Sequence, residues 1–308
     1  MSTAARTEPR TLAPPARRTA RVEAVERLGG YWLITALDPD GPSDPCPGQF
    51  FMLAAAERWG GGGDERPYLP RAFSHARARE GRLSFLLEAI GPGTERLAAL
   101  GEGEGLHLVG PLGVGWRPPH EGTRPLLVGG GIGSAPLLCL QDELLLEAAG
   151  PRERDVNRAM RGERNARAAD GPPEVDAAPD EAAPEVLLGF RSAAYAEAAA
   201  LFAGAPALAT DDGSAGRPAL VTDLLREALD EDPAATVFAC GPPPMLEAVR
   251  LACAERAVPA QLALESGMAC GFGACFGCVV PTRAGYIRLC VDGPVLDAEE
   301  LESVPVGH

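Results

Sequence analysis

Two hydropathy periods divide the chain. Between residues 18 and 120, apolar and polar positions alternate over short runs broken by glycine and proline: RTARVEAVERL, YWLITAL, GQFFMLAA, RAFSHARA, RLSFLLEAI and GLHLVGPLG. Period-two runs with even spacing and turn residues between them predict six strands of a small antiparallel β-barrel. One short helix is expected at GTERLAAL, and ERWGGGGDERP reads as a flexible loop,. From Pro125 onward the pattern switches to strands alternating with helices,. PLLVGGGIGSAPLLCLQDELLLEAA is a strand, a glycine turn and a helix, and the unit repeats through EVLLGFRS, ALATDDGS, TVFACGPPPML and QLALE. This predicts a parallel α/β nucleotide-binding sheet of about five strands, with ligands at the strand C-terminal ends.

The fold class is therefore β plus α/β, followed by a cysteine-bearing C-terminal subdomain. The expected division is a disordered tail over 1–17, the barrel over 18–120, the α/β domain over 124–264 and the cysteine subdomain over 265–308. Residues 151–185 are charged and rich in Ala, Pro, Asp and Glu. Such a stretch buries too little apolar surface to offset its ordering entropy, so it reads as a disordered insertion in the first helix-to-strand connection. With 28 basic against 43 acidic residues and net charge −15, nucleic acid and anionic membranes are disfavoured as partners, because both repel an acidic protein at long range. No apolar run is long enough to cross a bilayer, and the Arg-bearing N-terminus also carries Glu8, Glu23 and Glu26, which argues against a transit peptide,. A cytoplasmic protein with reduced cysteines is expected.

Four of the eight cysteines, Cys270, Cys275, Cys278 and Cys290, fall at C-x4-C-x2-C-x11-C. That is the plant-type spacing for a 2Fe-2S cluster, in which three thiolates come from one tight loop and a fourth returns from beyond a hairpin. Gly271, Gly273 and Gly277 between them let backbone N–H groups turn toward sulfur,. Zinc bound by four cysteines ordinarily uses two separated C-x2-C pairs, and here only Cys275 and Cys278 form one,. Structural disulfides would require an oxidising compartment.

Three further stretches carry candidate chemistry. RAFS, Arg71 to Ser74, is followed by LLEAIGPGT, Leu86 to Thr94, and resembles the R-x-[YF]-S flavin motif of ferredoxin reductase-type barrels. The resemblance implies FAD held by Arg71, Ala72, Phe73, Ser74, Leu86, Leu87, Glu88, Gly93 and Thr94. A diphosphate asks for the same things physically, a guanidinium fork and helix N-terminal N–H groups. Read alone, RAFS is an ordinary strand with an exposed arginine. GGGIGSAP offers Gly130, Gly131 and Gly133 where a strand meets a helix, and a turn needed only for packing is the plain alternative,. CGPPPML resembles the C-G-x-x-x-M run that lies beside the nicotinamide in ferredoxin reductase relatives, which adds Cys240 and Gly241; alone, Cys240 reads as a core residue. Asp211 and Asp212 hint at NAD rather than NADP. His75, His107, His120 and His308 are dispersed and suggest no acid–base triad; His75 reads as a satisfied barrel histidine,.

In this order and spacing, RAFS, GPGT, GPLGVGW, VGGGIGSAPLL, LLGFRS, TDDGSAG…VTDLL, FACGPPPML and MACGFGACFGC…RLCVDGPV resemble the electron-transfer subunit family of two-subunit, NAD-dependent dihydroorotate dehydrogenase. The family implies FAD in the barrel, one 2Fe-2S cluster on the cysteine loop, NAD at the α/β domain, and a catalytic partner chain holding FMN, two of each chain forming a heterotetramer. Electrons from dihydroorotate would run from partner FMN through the cluster and FAD to NAD+, in pyrimidine biosynthesis, with no residue of this chain acting as acid or base on the pyrimidine. Two departures stand out: Ala72 replaces the family's usual proline, and Leu87-Glu88 replaces a common aromatic–arginine pair. A related reductase subunit serving ferredoxin or a sulfide-linked partner is the alternative reading, and a zinc-bearing binding module is a third. Phe272, Phe276 and Met268 are expected to screen the cluster and to help form a docking surface.

Overall fold

The computed structural model describes residues 17–42, 45–60, 68–148 and 184–305. Apart from Arg17, the expected tail lies outside the described residues, as does the expected insertion up to residue 183; Glu185 already stands in a strand. Seven strands make the first sheet: β1 (Arg17–Leu28), β2 (Tyr31–Leu37), β3 (Phe50–Ala55), β4 (Arg71–Ser74), β5 (Arg77–Arg79), β6 (Arg82–Leu87) and β7 (Gly105–Leu112). They are ordered β4-β3-β7-β1-β2-β6-β5. The expected single strand RAFSHARA is thus two. Its halves lie at opposite edges of the sheet, yet only His75 and Ala76 separate them. A sheet whose two edges are joined by two residues has to curl into a barrel. Ala76 N–H donates to the Ser84 carbonyl at 2.7 Å, which hands the chain from its β3 partner to its β6 partner.

His75 at this corner is 1% exposed, with Nδ1 3.2 Å from the Gln49 carbonyl and its ring edge-on to Phe51. Burial pushes its pKa down to about 4, against the opposing pull of the Gln49 hydrogen bond. In the unfolded chain a histidine takes up its proton near pH 6.5, so between there and pH 4 the unfolded state binds more protons and stability falls as the pH falls. The cost, about 3 kcal/mol in full, follows from linkage. Denaturant unfolding between pH 7 and pH 4 should show this loss, and His75→Gln should flatten that limb of the profile.

The second sheet contains β8 (Arg124–Gly130), β9 (Glu185–Phe190), β10 (Ala207–Thr210), β11 (Ala235–Cys240) and β12 (Ala260–Ala263), all parallel, in the order β10-β9-β8-β11-β12. Alternate residues of β8 serve opposite faces: Leu126 and Val128 join one core, Leu127 the other. On the first face lie α4 (Val221–Glu231) and α5 (Pro243–Glu255). Helix α4 buries Val221, Leu224, Leu225, Ala228 and Leu229, the spacing of a single helical stripe,. On the second face lies α2 (Ala135–Ala148), whose first seven residues are all buried because it is covered by both the sheet and the barrel,. Arg77 and Arg79 of β5 pair with its Asp142 at 3.2 and 2.9 Å.

The remaining elements are α1 (Pro92–Ala98), α3 (Ala193–Ala196), a hairpin of β13 (Val279–Thr282) and β14 (Gly285–Arg288), α6 (Leu289–Asp292) and β15 (Val295–Asp297). Strand β15 extends the second sheet as a sixth strand, antiparallel to β12. The cysteine subdomain is therefore stitched into the α/β sheet at its far end. It also shares one continuous core with the barrel and the sheet, since Cys278, Val280, Leu289 and Cys290 pack in the cluster that contains Phe50, Met52, Leu112 and Leu126.

Candidate functional site

Three groups of residues converge around the barrel. The first is the cysteine loop. It needs left-handed backbone at Gly271 (φ 81°), Gly273 (φ 86°) and Phe276 (φ 58°), the last being unusual for a bulky residue,. Arg288 steadies it, donating to the Gly273 carbonyl at 3.0 Å with its guanidinium 5.1 Å from the Phe276 ring. Backbone N–H groups turn toward sulfur as the glycine pattern predicts: Gly273 to Cys290 Sγ at 3.1 Å, Gly277 to Cys275 Sγ at 3.4 Å and Cys290 to Cys278 Sγ at 3.5 Å.

The thiols form two pairs, Cys270 with Cys275 and Cys278 with Cys290. Among the described residues no three His, Cys, Asp or Glu side chains close on one point. Two pairs suit two irons, each taking two protein thiolates. Burial works against ionising Cys270, but N–H groups from Cys275, Phe272 and Ala274 prevail and bring its pKa down to about 6. Burial, then the shared hydrogen bond with Cys278, pushes Cys290 up to about 12. Coordination would deprotonate that thiol outright. The donor set and the N–H groups aimed at it fit a cluster. Cys278 and Cys290 are buried, Cys275 is exposed, and Phe272, Phe276 and Tyr286 are large exposed apolar residues of the same subdomain.

The second group is the start of β4 and of α1. Arg71 Nη1 donates to the Leu69 carbonyl at 2.6 Å, and the guanidinium lies directly against Gly93. A Cβ at 93 would sit 2.7 Å from Arg71 Nε, so glycine is what lets the cation rest on the helix start. Thr94 Oγ1 accepts from the Ile90 and Gly91 N–H groups at 3.0 and 3.2 Å. Its hydroxyl is thus spent on the cap, while the first-turn N–H groups of α1 remain without intrahelical partners. A guanidinium over open N–H groups fits a diphosphate. Ala72 is exposed and Phe73 and Ser74 are half-buried along the edge strand β4. Leu86 and Leu87 point into the cores, leaving only backbone for a ligand. Glu88 Oε1 accepts from Arg191 and, at 3.1 Å, from the Tyr195 hydroxyl.

The third group lines a cavity of about 540 Å³ at the C-terminal ends of the parallel strands. Gly130, Gly131, Gly133 and Gly241 form its glycine wall. A Cβ on Gly133 would come within 2.6 Å of the Gly241 backbone, and one on Gly130 within 2.3 Å of Met245 Sδ. Two loops more than 100 residues apart are thereby pressed glycine to glycine. Cys240 does not line the cavity. It is 4% exposed beneath it, its thiol raised by burial and then by Glu265, and Gly241 is what reaches the surface.

Asp211 lines the wall, whereas Asp212 is taken up by the Ser214 N–H and hydroxyl. Glu265 faces the cavity from a solvent-exposed position, and desolvation by the surrounding wall raises its carboxyl above the usual range. The barrel contributes Tyr31 and Glu88, and the α/β domain Arg191. Tyr31, Arg191 and Glu265 are missing from a reading by motif, and Glu88 enters that reading only as part of the flavin stretch. The available signal was position: LLGFRS and QLALE each end a parallel strand, where ligands bind,.

The barrel links the groups. A Cβ on Gly271 of the cysteine loop would lie 2.4 Å from Met52 Cγ, and Met52 on β3 is the pairing partner of Ala72 on β4. One strand thus separates the cysteine loop from the RAFS strand, and on its other side the barrel helps to wall the cavity.

Residues 265–302 match the iron-sulfur cluster binding domain of dihydroorotate dehydrogenase B. The chain is 32% identical over 261 residues to the dihydroorotate dehydrogenase B (NAD(+)) electron transfer subunit of Caldanaerobacter subterraneus subsp. tengcongensis, covering 83% of this chain and 87% of the relative. It is 34% identical over 264 residues to the subunit of the same name from Bacillus caldolyticus, covering 83% and 86%. In fold it is similar to the solved structure of an NADH-dependent reduced ferredoxin-NADP oxidoreductase, with a TM-score of 0.65 and 22% identity over 92% of this chain and 90% of that one. A ferredoxin reductase of carbazole 1,9a-dioxygenase has the same architecture, at TM-score 0.58 and 21% identity over 79% and 67%. Two relatives above 30% identity that each span most of both chains, with the cysteine loop matched separately, place the protein: it belongs to the family of dihydroorotate dehydrogenase B (NAD(+)) electron transfer subunits.

Proposed function

We propose that this chain carries electrons between a catalytic dihydroorotate dehydrogenase partner holding FMN and NAD+, in pyrimidine biosynthesis and in the cytoplasm. The observation that supports it best is the barrel's position, with the cysteine loop against β3 on one side and Tyr31 and Glu88 in the cavity wall on the other. Cys270, Cys275, Cys278 and Cys290 hold a 2Fe-2S cluster, two thiolates to each iron. Arg71 with the α1 N-terminus holds the FAD diphosphate, supported by Ala72, Phe73, Ser74, Gly93 and Thr94 and by the backbone of Leu86 to Glu88. Gly130, Gly131, Gly133 and Gly241 bring backbone against NAD, with Cys240 packed beneath. When bound, the cluster supplies single-electron transfer and the flavin exchanges single electrons for a hydride, which joins a one-electron partner to NAD+.

The protein's own part is placement. It keeps side chains away from the sulfur-facing N–H groups, sets a cation over the α1 N-terminus and keeps the cavity wall free of Cβ atoms. Phe272, Phe276 and Tyr286, with the half-buried Met268, form the docking surface for the partner, two of each chain assembling together. The test is co-expression with an FMN-bearing dihydroorotate dehydrogenase chain. The expected product is a complex with one FAD and about two irons on this chain that converts dihydroorotate with NAD+. A colourless, zinc-bearing protein, or a flavoprotein that reduces ferredoxin and leaves dihydroorotate untouched, would overturn the reading.

A further inference from the structure

The cavity is poorly charged for the ligand assigned to it. Three carboxylates and one guanidinium line it, Glu88, Asp211, Glu265 and Arg191, so among the described residues Arg191 is its single lining cation. A dinucleotide diphosphate entering the cavity would pair with that cation. The structure gives it to Glu88 instead.

The arrangement around the pair is built. The Arg191 guanidinium lies 3.7 Å above the Tyr195 ring centre, and Tyr195 hands its hydroxyl to the same Glu88 oxygen that Arg191 engages. Tyr195 is backed in turn by Tyr31, edge-on at 5.1 Å, and by the β1–β2 turn, where Gly30 N–H donates to the Ala194 carbonyl at 2.9 Å. A Cβ at Gly30 would stand 2.3 Å from the Tyr195 ring. The aromatic platform is thus held by packing from the barrel, independently of the ion pair. Arg191 itself is 55% exposed and Glu88 24%, so the pair is solvated enough to exchange partners at small cost.

We propose that Glu88 is an internal stand-in for the dinucleotide diphosphate: it holds Arg191 on Tyr195 in the free protein, and the ligand enters by displacing it. This rests on the reading of the cavity as the NAD site. Glu88 then acts through Arg191 as a positioning residue. It keeps the guanidinium in place, opposes binding of the dinucleotide and favours its release, whichever way electrons flow. A glutamate at this point is legible in the sequence, but its partner lies 103 residues away on the other domain.

Calorimetric titration of the intact oxidised complex with NAD+ and with ADP-ribose, which keeps the diphosphate and lacks the nicotinamide, tests this. Glu88→Gln is expected to tighten both ligands about three- to five-fold, the range of an exposed ion pair, and Glu88→Asp to stay near wild type. Arg191→Met should weaken both about ten-fold or more, because a charge-assisted contact is lost. In the Arg191→Met background Glu88→Gln should bring no further tightening. Unchanged or weaker binding in Glu88→Gln overturns the stand-in, as does a gain that persists without Arg191. If the wild-type complex binds neither ligand, it is the assignment of the cavity that falls.

Discussion

Replacing Cys278 by serine is expected to abolish dihydroorotate-to-NAD+ turnover by the complex while NADH still reduces the bound flavin. Cys278 is 2% exposed, inside the core that barrel, sheet and cysteine subdomain share, and it pairs with Cys290. A serine there keeps the volume close to native but offers a hydroxyl that does not ionise near neutral pH, so one iron loses a ligand. Altering mere outer-shell partners of a metal costs roughly 10–100-fold, so loss of a ligand should exceed about 100-fold in turnover. Iron analysis, the visible spectrum and two assays on the same preparation check this: the full reaction, and NADH reduction of the flavin, which on the proposed assignment needs the cavity and the barrel alone. Full turnover in an iron-depleted variant would sink the relay. Loss of both activities would point to a collapsed core instead, and for that reason the exposed Cys275→Ser belongs in the same experiment.

The second large effect is expected at Gly133. Its Cβ position lies 2.6 Å from both Cα and N of Gly241, backbone atoms with no rotamer to move, so Gly133→Ala has to part the two loops of the cavity wall. Overpacking of this kind costs about 1–3 kcal/mol, which in a chain of this size lowers Tm by several degrees. The glycine wall is displaced at the same time, and NAD+ affinity should fall about ten-fold or more, in line with the same energy. FAD content should stay at wild type, because Arg71 and Gly93, which are proposed to hold it, lie on other elements. A lower Tm with unchanged NAD+ affinity would mean that the loop apposition serves folding alone.

Much of this molecule is legible in its sequence. The cysteine spacing, the RAFS and GPGT stretches and the glycine loop are short-range features: a turn or a loop of a few residues has to satisfy its own backbone, and the residues that do so are adjacent in the chain. The two hydropathy periods likewise named both layers, because a strand or helix face declares itself within a dozen residues. Where structure and sequence pattern differ, the cause is a contact between distant elements. RAFSHARA looks continuous, and it breaks at His75-Ala76 only because its halves find different partners, β3 and β6. Cys240 stands in a motif that promises contact with a ligand, yet the packing of α2 and β11 leaves that surface to Gly241.

The chemistry is local to the chain: four thiols spaced for two irons, an arginine ahead of a glycine-opened helix and glycine turns at strand ends, each specified by neighbours within a few residues. How these are joined is a matter of long-range packing. Which barrel strand the cysteine loop touches, which glycine faces Gly133, and that Glu88 of the barrel occupies Arg191 of the other domain depend on how two sheets pack. Packing is set by the summed burial of two cores rather than by any local pattern,.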